Sequence, residues 1–242
     1  STQTEGFGTP AKQFSAKWLS QTIDHWQTED IQLSGGLIGY VGQVALLNRL
    51  IQLATSQQLH PLIVDPVMGD DGALYPGLPA DYVSAMRELI ADADVITPNW
   101  TEAHLLADVP LSDQQPSEAT VTALFAKLSS VCGKRTRVVV TGIPSDDAVL
   151  TAYQDNRGLQ MVSTKLRDGH FYGSGDVFSA LLGAVLMRDV DFETAVKIAV
   201  KGDTICLDQT SESGYQRRFG MQMSELLKWL TQEVIPSLDS FR

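Results

Sequence analysis

Histidine and cysteine are scarce in this chain, and their scarcity removes whole classes of chemistry. His25, His60, His104 and His170 are scattered without metal-ligand spacing, and Cys132 and Cys206 stand alone among 242 residues. A zinc site and a disulfide framework are thereby excluded, and so few cysteines point to a reducing cytoplasm. Basic residues are few as well. Lys and Arg number 18 against 29 Asp and Glu, the formal net charge is −11, and no run of Lys or Arg exceeds two. Nucleic acid and acidic membrane are poor partners for such a chain, whereas small-molecule chemistry suits it. No apolar run approaches the roughly 20 residues of a membrane span. The opening Ser1-Thr2-Gln3-Thr4-Glu5-Gly6 lacks both the basic and the apolar segments of a signal peptide, so a cytoplasmic location is expected. Two nucleotide motifs are missing too. There is no G-x-x-x-x-G-K-[ST], which excludes a P-loop enzyme. Gly36-x-x-Gly39-x-x-Gly42 is not G-x-G-x-x-G, and the next acidic residue is Asp65, at the end of the following strand, which argues against a dinucleotide fold.

What is present is an alternation of β-branched runs with amphipathic segments. A 43% hydrophobic content supports one generous core, and a single domain over residues 1–242 is expected. Leu62-Ile63-Val64, Val95-Ile96-Thr97 and Val138-Val139-Val140-Thr141 read as buried strands ending in polar or turn-forming residues. Residues 42–56, 80–91, 117–130, 177–187, 192–206 and 223–234 have helical length and periodicity. The segment holding Trp18 and Trp26 has helix-like apolar spacing, with packing as its expected use. This pattern predicts an α/β fold, doubly wound, with a mostly parallel sheet and helices on both faces. Ligands of such sheets bind at the carboxyl ends of the strands, and the polar clusters fall there.

Three clusters carry the candidate chemistry. Gly173-Ser174-Gly175-Asp176 opens directly into an apolar helical run. Glycines at a helix start let the backbone approach a ligand, and first-turn N–H groups attract negative charge, so the site suits an anion. A carboxylate there has a use if Asp176 takes a proton from an attacking hydroxyl, although plain helix capping accounts for the same four residues. Asp65-Pro66-Val67-Met68-Gly69-Asp70-Asp71-Gly72-Ala73-Leu74-Tyr75 reads as a mobile loop, with Gly69, Asp70, Asp71, Gly72 and Tyr75 as a lid or as an ordinary Asp-Gly surface turn. In Thr97-Pro98-Asn99-Trp100-Thr101-Glu102, Pro98 ends a strand and Thr101-Glu102 begins a helix, which strand punctuation alone explains. Together, Asp65, Asn99 and Glu102 supply the hard oxygen donors, direct or through water, that a magnesium nucleotide needs.

These three clusters, in this order, resemble the ribokinase-like superfamily and most closely its pyridoxal/pyridoxamine (vitamin B6) kinases. The resemblance runs from Ser1 to about Leu207. It implies ATP with Mg²⁺, a B6 vitamer as acceptor, a homodimer, and phosphorylation of the 5′-hydroxymethyl group on a pyridine ring. Asp176 takes the family's base position, with Gly173, Ser174 and Gly175 as the anion hole. Asp65, Thr97, Asn99, Glu102 and Thr141 match ATP and magnesium positions, with Asp65 and Glu102 toward the metal. Thr4, Glu5 and Tyr40 match substrate contacts, and a monovalent-cation requirement stays open. Such proteins normally carry a further strand, turn and helix, about forty residues, ahead of the segment that residues 1–7 resemble, so a longer parent chain is expected. Glu5 departs from the pattern and leaves the preferred vitamer open. Three rivals stand beside this reading. A hydroxymethylpyrimidine kinase usually has Gly-x-Gly-Cys where this chain has Asp176, a sugar kinase carries an added β-lid not evident before Leu62, and a non-catalytic pyridoxal or nucleotide-binding relative has no need of Asp176.

Overall fold

The structure is a computed structural model that describes residues 13, 15–112, 114–214 and 216–239. The chain divides into two compact units, one spanning Lys12–Ser163 and the other carrying Thr164–Arg242.

The first unit opens with helix α1 (Ala16–Thr28), strand β1 (Gly36–Ile38), helix α2 (Val44–Gln57) and strand β2 (Leu62–Val64). The short strands β3 (Gly69–Asp70) and β4 (Ala73–Leu74) follow, then α3 (Tyr82–Ala91), β5 (Val95–Ile96), α4 (Trp100–Ala107) and α5 (Glu118–Val131). It ends in three eight-residue strands, β6 (Arg137–Pro144), β7 (Ala148–Asp155) and β8 (Gly158–Lys165). The sheet order is β1-β2-β5-β6-β7-β8. The pairs β1/β2, β2/β5 and β5/β6 are parallel and β6/β7 is antiparallel, so the expected mainly parallel α/β sheet is observed with an antiparallel extension.

Side-chain alternation with both faces buried explains why β2 and β5 are apolar throughout. Register places Val64, Ile96 and Val138 in one row across β2, β5 and β6. That row packs with Leu47, Ala54, Met86, Leu89, Leu106, Leu124 and Phe125 from α2, α3, α4 and α5. The alternate residues Ile63, Val95 and Val139 are equally buried, so both faces of the sheet are dry. Each such side chain contributes about 1.5–3 kcal/mol when fully withdrawn from water.

Tyr82 belongs to the same core with its ring fully buried, and its hydroxyl oxygen accepts the Gly42 N–H at 3.0 Å. Gly42 holds φ at +78°, and a Cβ there would meet the Tyr40 hydroxyl at 2.8 Å, so the turn after β1 depends on glycine and on this hydrogen bond. Tyr82→Phe is expected to strand the Gly42 N–H and lower unfolding free energy by about 1–3 kcal/mol, measurable by urea denaturation.

The second unit is helical. Helix α6 (Ser174–Leu186) packs on α7 (Phe192–Glu212), followed by a 3-10 turn (Arg217–Phe219), α8 (Ser224–Trp229), a π-helical turn (Leu230–Val234) and α9 (Ile235–Asp239). Small residues set the approach: a Cβ on Gly202 would meet Leu181 Cδ1 at 2.5 Å, and Ala195 and Ala199 are completely buried.

Several expectations need correction. Trp18 does lie in a helix, but 63% of it is exposed, and Ile23 is the buried residue of α1. The 192–206 helix runs on to Glu212 and stops before Gly214, whose φ is +65°. The 223–234 helix is interrupted, because Pro236 has no N–H to continue the regular ladder. Strands β1, β7 and β8 were not anticipated.

Candidate active site

Strand ends in the first unit gather most of the expected nucleotide and metal residues. The N–H of Asp65, just past β2, donates to the Ile38 carbonyl at 2.8 Å, and the N–H of Thr97, just past β5, donates to the Val64 carbonyl at 3.1 Å. Thr141 lies in β6, where its N–H donates to the Pro98 carbonyl and it pairs in parallel with Asn99. Asp65, Thr97, Asn99, Glu102 and Thr141 are therefore brought to the carboxyl ends of β2, β5 and β6. Tyr40 follows β1 and is 42% exposed. Thr4 and Glu5 lie outside the described residues.

Asn99 and Glu102 form a reciprocal cap on α4. The Asn99 Oδ1 accepts the Glu102 N–H at 2.8 Å, and Glu102 Oε2 accepts the Asn99 N–H at 2.9 Å. The other Glu102 oxygen accepts the N–H groups of Met68 at 3.0 Å and Gly69 at 3.4 Å. Helix capping and the strand-end cluster are thus one arrangement rather than alternatives. Glu102 is only 3% exposed, and its carboxyl is pushed up to about 8 by burial and then by the nearby charge of Asp65, against the pull of the three backbone donors.

The segment expected as a lid or an Asp-Gly turn forms a hairpin hydrogen-bonded to the start of α4. Asp71 and Gly72 have φ of +48° and +80°, the conformation of a tight two-residue turn between β3 and β4. Asn99 Nδ2 donates to the Gly69 carbonyl at 2.8 Å, the Gly72 N–H donates to Thr101 Oγ1 at 3.0 Å, and the Tyr75 N–H donates to the Met68 carbonyl at 2.8 Å. Gly69 is required here, since a Cβ would meet the Ala73 carbonyl oxygen at 2.4 Å. Asp70 is half-buried beside it and Asp71 is exposed at the tip.

Among the described residues no group of three His, Cys, Asp or Glu side chains is placed to hold a metal by itself. Two acidic side chains in a buried setting, with the carboxyl of Glu102 pushed up by burial and then by the charge of Asp65, nonetheless form a donor set that a hard divalent cation would relieve. Asp65 and Glu102 fit Mg²⁺ arriving with a nucleotide in that sense.

In the second unit Gly173 caps α6 with φ +96° and ψ 3°, a left-handed conformation that suits glycine. Ser174, Gly175 and Asp176 lie inside the first helical turn. The Val177 N–H closes that turn on the Gly173 carbonyl at 2.9 Å, leaving the Gly175 and Asp176 N–H groups at the unpaired, positive end of the helix. Gly175 and Asp176 are exposed, so the carboxylate is accessible at that end. The Ser174 hydroxyl donates to Asp203 Oδ2 at 2.9 Å, a partner that nothing in the motif signalled. The His170 ring lies 4.4 Å from that of Tyr172.

Comparison with known proteins agrees with this architecture. The family described as phosphomethylpyrimidine kinase matches residues 2–217. The crystal structure of a pyridoxal kinase from Lactobacillus plantarum superposes with a TM-score of 0.88 at 33% identity, covering 96% of this chain and 83% of that one. A pyridoxal kinase of Arabidopsis thaliana is 29% identical over 157 residues, which are 60% of this chain and 48% of the relative. A hydroxymethylpyrimidine/phosphomethylpyrimidine kinase of Haemophilus influenzae is 30% identical over 179 residues, 70% of this chain and 63% of the relative. The aligned stretches thus span about half to two thirds of those two relatives. The family model covers residues 2–217 and the fold is shared with the pyridoxal kinase structure, so the chain belongs to the phosphomethylpyrimidine kinase family.

Proposed function

We propose that this chain is the kinase domain of an enzyme that transfers the γ-phosphoryl group of ATP to the 5′-hydroxymethyl group of pyridoxal, pyridoxamine or pyridoxine. The observation that carries this reading is Asp176 in the first turn of α6, behind a left-handed Gly173. Backbone N–H groups at that helix end meet the charge that develops on the transferred phosphoryl oxygens. The Asp176 carboxylate accepts the proton released as the alcohol oxygen forms its bond to phosphorus. Asp65 and Glu102 hold Mg²⁺ with the nucleotide, and Thr97, Asn99 and Thr141 serve the phosphates. Bound Mg²⁺ supplies charge neutralisation on the phosphate oxygens. Tyr40 stands beside the acceptor ring, with Thr4 and Glu5 as further contacts. Two free cysteines accord with a cytoplasmic enzyme, and we include homodimerisation in the same reading.

The family match and the Haemophilus relative favour a second reading, in which the acceptor is hydroxymethylpyrimidine. Asp176 in place of a cysteine favours the B6 alcohol. ADP release by the full chain, measured with pyridoxal, pyridoxamine and hydroxymethylpyrimidine in turn, separates the readings. Turnover with a pyridine alcohol is expected. Turnover confined to the pyrimidine, or none with any acceptor, overturns the proposal.

A further inference from the structure

The Ser174 hydroxyl has one proton, and the structure shows where it goes. It is directed at Asp203 Oδ2, 2.9 Å away on α7, rather than outward from the helix end. Gly202 makes the contact feasible, because a Cβ there would press on Leu181 of α6 and hold the two helices apart. The second Asp203 oxygen is buried and has no hydrogen-bond partner. Arg167, whose charge acts on it, spends its Nε and Nη2 donors on Asp208 Oδ1 at 2.8 and 2.5 Å. A half-partnered carboxylate thus sits directly behind a helix end suited to anions.

We propose that Asp203 is a positioning residue for this turn, and that phosphate binding there is accompanied by uptake of one proton at Asp203. The proposal rests on the reading of the Gly173, Ser174 and Gly175 turn as a phosphate site. With Asp203 ionised, Ser174 must donate to it and presents only lone pairs to an incoming phosphate. With Asp203 protonated, the carboxyl can donate to Ser174 Oγ, and the serine proton is released to donate to a phosphate oxygen. The added phosphate charge favours the protonated form further.

The groups acting on Asp203 allow this exchange near neutral pH. Burial pushes its carboxyl up to about 7, while the Ser174 hydrogen bond and the Arg167 charge pull it down. Cys206, one turn along α7, is itself pushed up to about 11 by burial and by Asp203, so it stays protonated over the same range.

The test is Mg-ATP binding to the full chain, without an alcohol acceptor, between pH 6 and 8.5. Relative to Asp203→Asn, in which Glu102 still gives up its proton, the affinity of the unaltered protein is expected to fall with rising pH, the ratio approaching tenfold per unit above the Asp203 titration. Asp203→Asn, whose amide can donate to Ser174 at any pH, is expected to remove that part of the slope and to keep tight binding at pH 8.5. Calorimetry in buffers of different ionisation enthalpy should show the unaltered protein taking up more protons on binding at pH 7.5 than Asp203→Asn, a comparison that cancels the proton Glu102 gives up to the metal. Equal slopes in the two proteins, or equal proton exchange on binding, overturn the role of Asp203. Absence of Mg-ATP binding at every pH overturns the phosphate-site reading itself.

Discussion

Asp176→Asn is expected to lower kcat by about a hundred- to ten-thousand-fold while leaving ATP affinity within severalfold of its original value. Asparagine keeps the size and a carbonyl oxygen, so the first turn of α6 retains its shape. What it loses is the capacity to accept a proton. An alcohol does not ionise at neutral pH, so proton removal must accompany phosphorus–oxygen bond formation, and without a base the barrier rises. Asp176 is exposed and makes no capping hydrogen bond for α6, whose N-cap residue is Gly173, so the substitution should leave the thermal midpoint within about 2 °C. The decisive pairing is single-turnover phosphoryl transfer with Mg-ATP binding on the same preparation. Near-normal kcat would remove Asp176 from the mechanism, and loss of ATP binding with it would recast the residue as part of the nucleotide site.

The parts of this fold legible in the sequence are those where one periodicity dominates. Leu62-Ile63-Val64 and Val95-Ile96 are apolar without interruption because both of their faces are buried, and a continuous run is what such a strand requires. Strands β7 and β8 escaped because their burial is mixed, as in β8, where intermediate and exposed residues alternate with no fully buried position. A signal for them existed in Asp155-Asn156-Arg157-Gly158. The Asp155 carboxylate accepts the Arg157 N–H at 2.8 Å and Gly158 has φ +105°, which makes a tight hairpin connection. Strand β1 is only three residues of an edge, and its glycine-rich sequence reads equally as a loop.

At the candidate site, local motifs showed which residues were special but not what they touched. Asn99 and Glu102 are spaced as a capping box, a relation between residues three apart, and that was readable. The bonds from Glu102 to Met68 and Gly69, and from Thr101 to Gly72, join segments about thirty residues apart, so no window of sequence contains them. The same applies to Ser174 and Asp203, which meet only because Gly202 lets α7 close on α6. Aspartate, glycine and tyrosine in residues 69–75 suggested mobility by composition. What composition did not show is that Gly69 and Gly72 are hydrogen-bonded to Asn99, Thr101 and Glu102 at the start of α4.

Glu102→Gln is expected to have two effects that separate by measurement. The first is on stability. A carboxylate offers acceptor oxygens on both sides, to Asn99 and to Met68 with Gly69, whereas an amide has one oxygen and must turn an NH₂ group toward at least one buried N–H. The cost is about 1–3 kcal/mol, roughly 2–10 °C in a chain of this size, independent of metal. This loss depends on pH. The Glu102 carboxyl is raised from an ordinary 4.5 to about 8 in the folded chain, so the folded state holds a proton that the unfolded state releases. Its contribution is full below about 4.5 and is lost as pH climbs toward 8, and Gln should flatten that fall in divalent-free buffer. The second effect is on magnesium. Removing an acid next to Asp65 that can ionise when the cation arrives should raise the Mg²⁺ concentration for half-maximal rate severalfold, with kcat recovered at excess metal. A lower thermal midpoint with unchanged magnesium dependence at saturating substrate would confine Glu102 to holding α4 and the β3/β4 hairpin. A raised magnesium requirement that excess metal rescues assigns it to the nucleotide site as well, because a purely structural lesion is not repaired by a cation.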